Sequence, residues 1–164
     1  MQVHNISVLC VDHNSNYKSY PGLDVWDKKR DVYNFNSKNK VIAHAPCQQW
    51  SKSRNLAHKN HDELNLAFFC WNIIQINGGI FEHPLGSSFF KYVDTSQGKL
   101  IRVNQSQFGF PAPKPTLLYF HKCSPVSEPL NFNCVTKNVK DLHSSQRSRS
   151  TVAFINWLLL CLRD

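Results

Sequence analysis

Short apolar runs rich in β-branched residues alternate with polar segments in the first half of the chain. Residues 6–11 and 40–45 form two such runs, and residues 80–83 form a third, which Pro84 ends. Each run has the length and composition of a buried β-strand. Between the second and third runs, apolar residues from about position 62 to position 77 cover most of the circumference of a helix. This pattern predicts a helix that packs on several sides.

The order of these elements indicates the fold class. Strand, helix, the pair Gly78-Gly79 and a further strand form a βαβ unit, which predicts parallel pairing and a right-handed crossover. Residues 100–104 and 116–120 predict a hairpin, and a last helix is predicted from near residue 150 to near residue 162. We therefore predict one α/β domain over residues 1–164, with a compact, Rossmann-like, mostly parallel sheet, flanking helices and a β-hairpin near residues 100–120.

Composition suggests a class of partner. The chain has 164 residues, of which 41% are hydrophobic and 18% charged, as in a globular protein. Its formal net charge is +8 and its pI about 9.3. An anionic partner is therefore expected, either a nucleotide or a nucleic acid. The alternative is a basic protein with no such partner, because net charge alone does not identify a ligand.

The cysteines suggest a compartment. They stand at positions 10, 47, 70, 123, 134 and 161, and no two of them form a C-x-x-C pair. Several lie in apolar runs, where a free cysteine behaves as a small hydrophobic residue, so a reduced, cytoplasmic protein is expected. The first residues lack the features of a secretory signal, and no apolar run is long enough to span a bilayer. No membrane role is expected, and a homo-oligomer is left open.

Polar segments follow three of the predicted strands. They are residues 12–16, residues 47–51 and the pair Glu82-His83. In doubly wound sheets, ligands bind outside the carboxyl ends of the strands. We therefore expect the three segments to meet in one crevice, with Asp12 and Asn14 among the residues that bind substrate.

Three segments resemble, in the same order, motifs of the cytosine-5 DNA methyltransferases. Residues 46–51 (PCQQWS) resemble the P-C-Q-x-x-S motif that carries the family's catalytic cysteine. Residues 81–84 (FEHP) lie where the family has its E-N-V glutamate. Residues 107–116 are similar to its F-G-V-P-Q-x-R-x-R segment, with Lys114 and Thr116 in the two arginine positions. Together the resemblance covers roughly residues 40 to 120.

The resemblance implies a reaction. Cys47 would add as a thiolate to carbon 6 of a pyrimidine ring, Glu82 would act as the acid at ring nitrogen 3, and carbon 5 would become nucleophilic. Lys52 and Arg54 are expected to lower the pKa of the thiol. His44 and His83 are each expected to be structural and not catalytic. The full set of predicted substrate-binding residues is Asp12, Asn14, Gln48, Trp50, Ser51, Arg54, His83, Lys114 and Thr116.

The chain also departs from that family. The family holds S-adenosylmethionine with an F-x-G-x-G loop, whereas residues 12–16 contain no glycine. The family's target-recognition domain is also not expected in these 164 residues. Methylation of specific duplex sites is therefore not expected, and no cofactor is assigned. The H-x-P-C, E-H-P and K-x-T pattern resembles that of short phage and prophage proteins. This resemblance implies a phage source and the host cytoplasm as the place of action.

The sequence also bears on four alternatives to a pyrimidine-directed transferase. A zinc deaminase needs P-C-x-x-C, which is absent around Cys47. A structural zinc site of His44, Cys47, His58 and His61 is an alternative, although no metal site is predicted. The main alternative to a transferase is a phage counter-defence protein that binds or hydrolyses a nucleotide or cyclic-dinucleotide signal. The last is a protein that masks a partner by surface contact.

Overall fold

The computed structural model describes residues 5–51, 60–128 and 135–163. Six strands are present in these residues: β1 (Ile6–Val11), β2 (Leu23–Asp27), β3 (Lys40–Ala43), β4 (Gly79–Pro84), β5 (Lys99–Asn104) and β6 (Pro115–His121). Three α-helices accompany them: α1 (His61–Asn77), α2 (Ser144–Arg147) and α3 (Val152–Cys161). The predicted strands, the long helix and the last helix are confirmed, whereas β2 was not predicted.

The strands form one mixed sheet in the order β2-β1-β3-β4-β6-β5. Strands β2, β1, β3 and β4 are parallel to one another. Strand β6 is antiparallel to both β4 and β5, so β5 and β6 form the predicted hairpin. The α/β class and the hairpin are therefore confirmed, and the parallel pairing extends over four of the six strands.

Local signals fix the two ends of α1. The Asn60 side chain accepts hydrogen bonds from the backbone N–H groups of Asp62 and Glu63, which caps the first turn. The helix ends at Gly78, whose φ of 84° lies in the left-handed region that favours glycine. At Gly79, an added Cβ would lie 1.9 Å from the carbonyl oxygen of Val41. Only glycine therefore allows β4 to begin this close to β3.

The two faces of the sheet carry separate hydrophobic clusters. Val8, Ile42 and Ile80 pack in one cluster with α3, whereas the alternate residues of the same strands, such as Val41 and Phe81, pack in the other with α1. Side chains alternate between the faces of a strand, so α3 and α1 cover opposite faces of the sheet. This leaves the carboxyl edge of the parallel strands for polar residues. In the described residues, no helix has the length and apolar character needed to cross a membrane.

Candidate functional site

A cavity of about 370 Å³ lies at the carboxyl ends of β1, β3 and β4. Strand β2 lies on one side of β1 and β3 on the other. The chain therefore reverses its direction of travel across the sheet at β1, and ligands of open α/β sheets bind at such a switch point. The cavity volume falls in the range of small-molecule sites, which is about 300–1,000 Å³.

Five of the predicted site residues line this one cavity. Asp12 follows β1, Cys47 and Gln48 follow β3, Glu82 belongs to β4, and Lys114 precedes β6. The expected convergence of polar segments from separate strand ends is thus present for these five residues. Arg54, like Lys52, lies outside the described residues.

Trp50 and Ser51 do not line the cavity, although they lie two and three residues after Gln48. Residues 48–50 form a short 3₁₀ helix, which turns the Trp50 side chain into the protein. Trp50 is 6% exposed, and its ring packs edge-on against Phe68 and Phe89. The Ser51 hydroxyl donates to the Gln48 carbonyl over 2.9 Å. Both residues therefore support the local structure next to Cys47.

Three further predicted residues lie apart from the cavity lining. Asn14 is exposed on the loop after β1. His83 is 1% exposed, and its Nδ1 lies 2.8 Å from the Ser87 hydroxyl. Burial lowers the pKa of His83 to about 4, although nearby Glu82 opposes this effect. The expected structural role of His83 agrees with this neutral, buried position.

Thr116 is buried beneath the cavity and belongs to a hydrogen-bond network under Glu82. Its hydroxyl accepts from the Gln105 side-chain amide over 3.0 Å and donates to the Lys114 carbonyl over 3.1 Å. The same Gln105 amide donates to Oε1 of Glu82 over 3.0 Å. Gln105 has no exposed surface. Through Gln105, Thr116 helps to fix the orientation of the Glu82 carboxylate.

The second oxygen of Glu82 is hydrogen-bonded to Nδ1 of His44. Both side chains are only 13% exposed. Burial alone would raise the pKa of Glu82, but the charge of His44, its hydrogen bond and the charge of Lys114 outweigh burial and lower the pKa to about 2. Glu82 is therefore an ionised carboxylate near neutral pH.

The imidazole has a second partner. Nε2 of His44 lies 2.9 Å from the phenolic oxygen of Tyr17, which is 1% exposed. Burial raises the pKa of Tyr17 well above its usual value, and Glu82 adds to the effect, so the phenol keeps its proton. Tyr17, His44 and Glu82 all line the cavity. They form a continuous hydrogen-bond chain along its wall.

Cys47 lies half-buried in the same wall. Burial raises the pKa of its thiol, the Glu82 carboxylate raises it further, and Lys114 partly opposes both effects. Lys52 and Arg54, which were expected to lower this pKa, lie outside the described residues. Within the described residues, the balance favours a protonated thiol.

Lys114 lowers the pKa of both Glu82 and Cys47 through its positive charge. Burial lowers the pKa of its ammonium, whereas Glu82 and Cys47 raise it. The ammonium lies 4.9 Å from the centre of the Phe110 ring and donates to the carbonyl of Arg149 over 3.5 Å. This backbone contact connects the lysine with residues 147–150, which also line the cavity.

Sequence reasoning missed several cavity residues. Tyr17, Glu63, Lys28, Arg147 and Arg149 were not predicted, and none of them lies in a recognisable motif. His44 was expected to be structural only. The spacing H-x-P-C was the available signal, because it places His44 beside the end of β3 together with Cys47.

The described residues contain no group of three or more histidine, cysteine or acidic side chains that could hold a metal ion. The alternative zinc site included His58, which lies outside the described residues. The loop after β1 also departs from a glycine-rich cofactor loop. There the Ser15 hydroxyl accepts from the backbone N–H of Tyr17, and this bond caps a 3₁₀ helix over residues 16–19. Residues 12–16 contain no glycine that would let a cofactor approach their backbone closely.

No protein-family model matches the chain, and a search of curated proteins found no match. The fold and the cavity therefore define the class by themselves. The protein has an α/β fold with a mixed sheet, and a thiol, a carboxylate–imidazole pair and a lysine surround one ligand-sized cavity.

Proposed function

We propose that the protein acts on a pyrimidine base, with Cys47 as the nucleophile and the Glu82–His44 pair as the acid. The observation that carries the proposal is that the Cys47 thiol and the Glu82 carboxylate, which come from different strand ends, line the same cavity. The position of the cavity at the switch point of the sheet supports a Rossmann-like active site. The basic net charge supports a nucleotide or a nucleic acid as the substrate.

The addition step needs only Cys47 and the Glu82–His44 pair to transfer its protons. The Cys47 sulfur forms a bond to carbon 6 of the ring while its proton passes to the Glu82–His44 pair. The pair delivers a proton to ring nitrogen 3, and the electrons of the 5,6 double bond shift so that carbon 5 becomes nucleophilic. The low pKa of Glu82 makes the pair, and not a lone carboxylic acid, the proton carrier.

The other residues position these groups. Gln105 holds one oxygen of Glu82, and Tyr17 holds the far nitrogen of His44, so the pair keeps one orientation along the cavity wall. Lys114 favours the thiolate electrostatically. S-adenosylmethionine is the electrophile that the resemblance implies, but the loop after β1 does not fit that group. The addition step does not depend on that group.

The addition can be tested without any cofactor. Reversible attack at carbon 6 makes carbon 5 take up a proton from the solvent, so the protein should exchange the hydrogen at carbon 5 for deuterium in heavy water. Proton NMR of cytidine and deoxycytidine monophosphate, single-stranded DNA and duplex DNA would measure this exchange. We expect Cys47→Ser to abolish it and Glu82→Gln to reduce it by at least about 100-fold. Cys123→Ser is the matched control, because Cys123 does not line the cavity.

A 5-fluoropyrimidine gives a second test of the same chemistry. Mass spectrometry should detect an adduct on the peptide that contains Cys47. Absence of both exchange and adduct with every substrate would refute the proposed addition.

The second candidate function is a nucleotide-binding module. It is favoured by one observation, the raised pKa of the Cys47 thiol, since an unreactive thiol suits binding without turnover. A binder of a nucleotide or cyclic-dinucleotide signal should retain its affinity in Cys47→Ser, and calorimetry with both ligand types would measure it. Products detected by chromatography would instead indicate hydrolysis.

A further inference from the structure

Three exposed basic side chains line the solvent side of the cavity. Lys28 follows β2, Arg147 ends α2, and Arg149 lies two residues further on. No ion pair is formed by any of the three within residues 5–51, 60–128 and 135–163. By contrast, the exposed Arg30 is paired with Asp24 over 2.6 Å. The three cations, which we call the basic rim, therefore have charge that the described part of the fold does not neutralise.

The backbone that carries the two arginines is anchored directly after Arg149. The Asn16 side-chain amide donates to the carbonyl of Ser150 over 2.8 Å, which ties this segment to the loop after β1. The Thr151 hydroxyl donates to the carbonyl of Phe108 over 2.6 Å, which ties it to the turn between β5 and β6. The backbone of this segment is thus held at the mouth of the cavity before any ligand arrives, so binding has to order the arginine side chains but not the chain that carries them.

The inner wall of the cavity carries negatively charged side chains, in contrast to the basic rim. The Oε2 atom of Glu63 is buried and has no hydrogen-bond partner among the described residues, and Asp12 lines the wall near β1. These carboxylates repel an anion but accept hydrogen bonds from amino or hydroxyl groups. A ligand that matches both parts of the cavity has a negatively charged group at the basic rim and hydrogen-bond donors next to the inner carboxylates.

We propose that the cavity takes a free pyrimidine nucleoside monophosphate, with its phosphate on the basic rim and its amino and hydroxyl groups toward Glu63 and Asp12. This assignment rests on the proposed function in so far as the base lies between Cys47 and Glu82. The cavity volume of about 370 Å³ lies in the range of sites for single small molecules such as one nucleotide. Arginine suits a terminal phosphate because its N–H groups bind two oxygens at once.

The test compares two double variants that lose the same charge. Arg147→Gln with Arg149→Gln removes two cations of the rim, whereas Lys99→Gln with Arg102→Gln removes two exposed cations of β5, which do not line the cavity. Calorimetry would measure the affinity for cytidine and for cytidine monophosphate at two salt concentrations. We expect the rim variant to lose at least about tenfold in affinity for the monophosphate, to leave cytidine binding unchanged and to weaken the salt dependence. The β5 variant should match the wild type.

Equal losses in both double variants would overturn the assignment, and so would cytidine binding as tightly as its monophosphate. Tighter binding of single-stranded or duplex DNA than of the monophosphate would also overturn it, because the ligand would then be a polymer. Failure of the proposed function gives a different result. In that case Cys47→Ser and the wild type bind the monophosphate equally through the rim, but neither exchanges the hydrogen at carbon 5.

Discussion

Nε2 of His44 lies 2.9 Å from the phenolic oxygen of Tyr17, while Nδ1 of the same ring is bonded to Glu82. The three residues come from the carboxyl ends of β1, β3 and β4, which are adjacent in the sheet. One imidazole thus connects a buried phenol to a buried carboxylate. This connection explains how Glu82 stays ionised at 13% exposure.

Removal of the phenol should weaken this chain. In Tyr17→Phe, Nε2 of His44 loses its partner, and we expect the free energy of unfolding to fall by about 1–2 kcal/mol. Urea denaturation would measure the change. Tyr92→Phe is the control, because Tyr92 is 62% exposed and its hydroxyl has no role in the cavity. Equal stability of Tyr17→Phe and the wild type would show that the Tyr17 hydrogen bond contributes nothing.

The reactivity of Cys47 should respond in opposite directions to its two charged neighbours. Glu82 raises the pKa of the thiol and Lys114 lowers it. Alkylation by iodoacetamide proceeds through the thiolate, so Glu82→Gln should react faster than the wild type at pH 8 and Lys114→Gln more slowly. Peptide mass spectrometry separates Cys47 from the other cysteines. A change of the same sign in both variants would contradict the electrostatic explanation.

His83 should make stability depend on pH. Its pKa in the fold is about 4, below the ordinary value of 6.5, so the unfolded chain binds more protons between these values. Above pH 6.5, the neutral form of His83 contributes roughly 3 kcal/mol to the free energy of unfolding. This contribution is lost as the pH falls to 4. Urea midpoints measured from pH 7 to pH 4 should therefore decline less steeply in His83→Gln than in the wild type. Parallel curves would exclude His83 as the source.

The sequence predicted the elements that carry strong local signals. Strands β1, β3 and β4 are continuous apolar runs, and α1 has a capping asparagine and a terminal glycine pair. Strand β2 was missed because it contains Asp24 and Asp27 at the edge of the sheet. Pairing with β1, and the hydrogen bond from Ser7 to Asp24, make that sequence a strand. Such stabilisation comes from tertiary contacts and leaves no local pattern.

The site was predictable only where a residue lies in a motif at a strand end. Cys47 and Glu82 met that condition, and both line the cavity. Gln105 lies on the 3₁₀ helix after β5, and only the hairpin pairing brings its amide beneath Glu82. Arg147 and Arg149 reach the cavity from the far end of the chain, in a segment that the sequence pattern left without structure. Contacts between residues so far apart in the chain depend on the topology of the fold, and the spacing of residues in the sequence does not reveal them.

Trp50 gives the clearest separation between support of the fold and contact with a ligand. Its ring packs against Phe68, Phe89 and Tyr92, and its indole nitrogen is buried without a hydrogen-bond partner in the described part of the chain. We expect Trp50→Ala to lower the free energy of unfolding by about 3–5 kcal/mol. Trp50→Phe should cost much less, because it keeps a ring in the cluster and removes the unpaired N–H group.

Ligand binding should then distinguish the two roles of Trp50. A stacking residue contributes about 1–3 kcal/mol per base, so its replacement by alanine would weaken nucleotide binding at least about fivefold even in protein that remains folded. Trp50 does not line the cavity, and the affinity of Trp50→Phe for cytidine monophosphate should equal that of the wild type. Calorimetry on the folded fraction, verified by circular dichroism, would measure both variants. Weakened binding in Trp50→Phe with unchanged stability would mean that the indole reaches the ligand, because a purely structural ring can affect binding only through the fold.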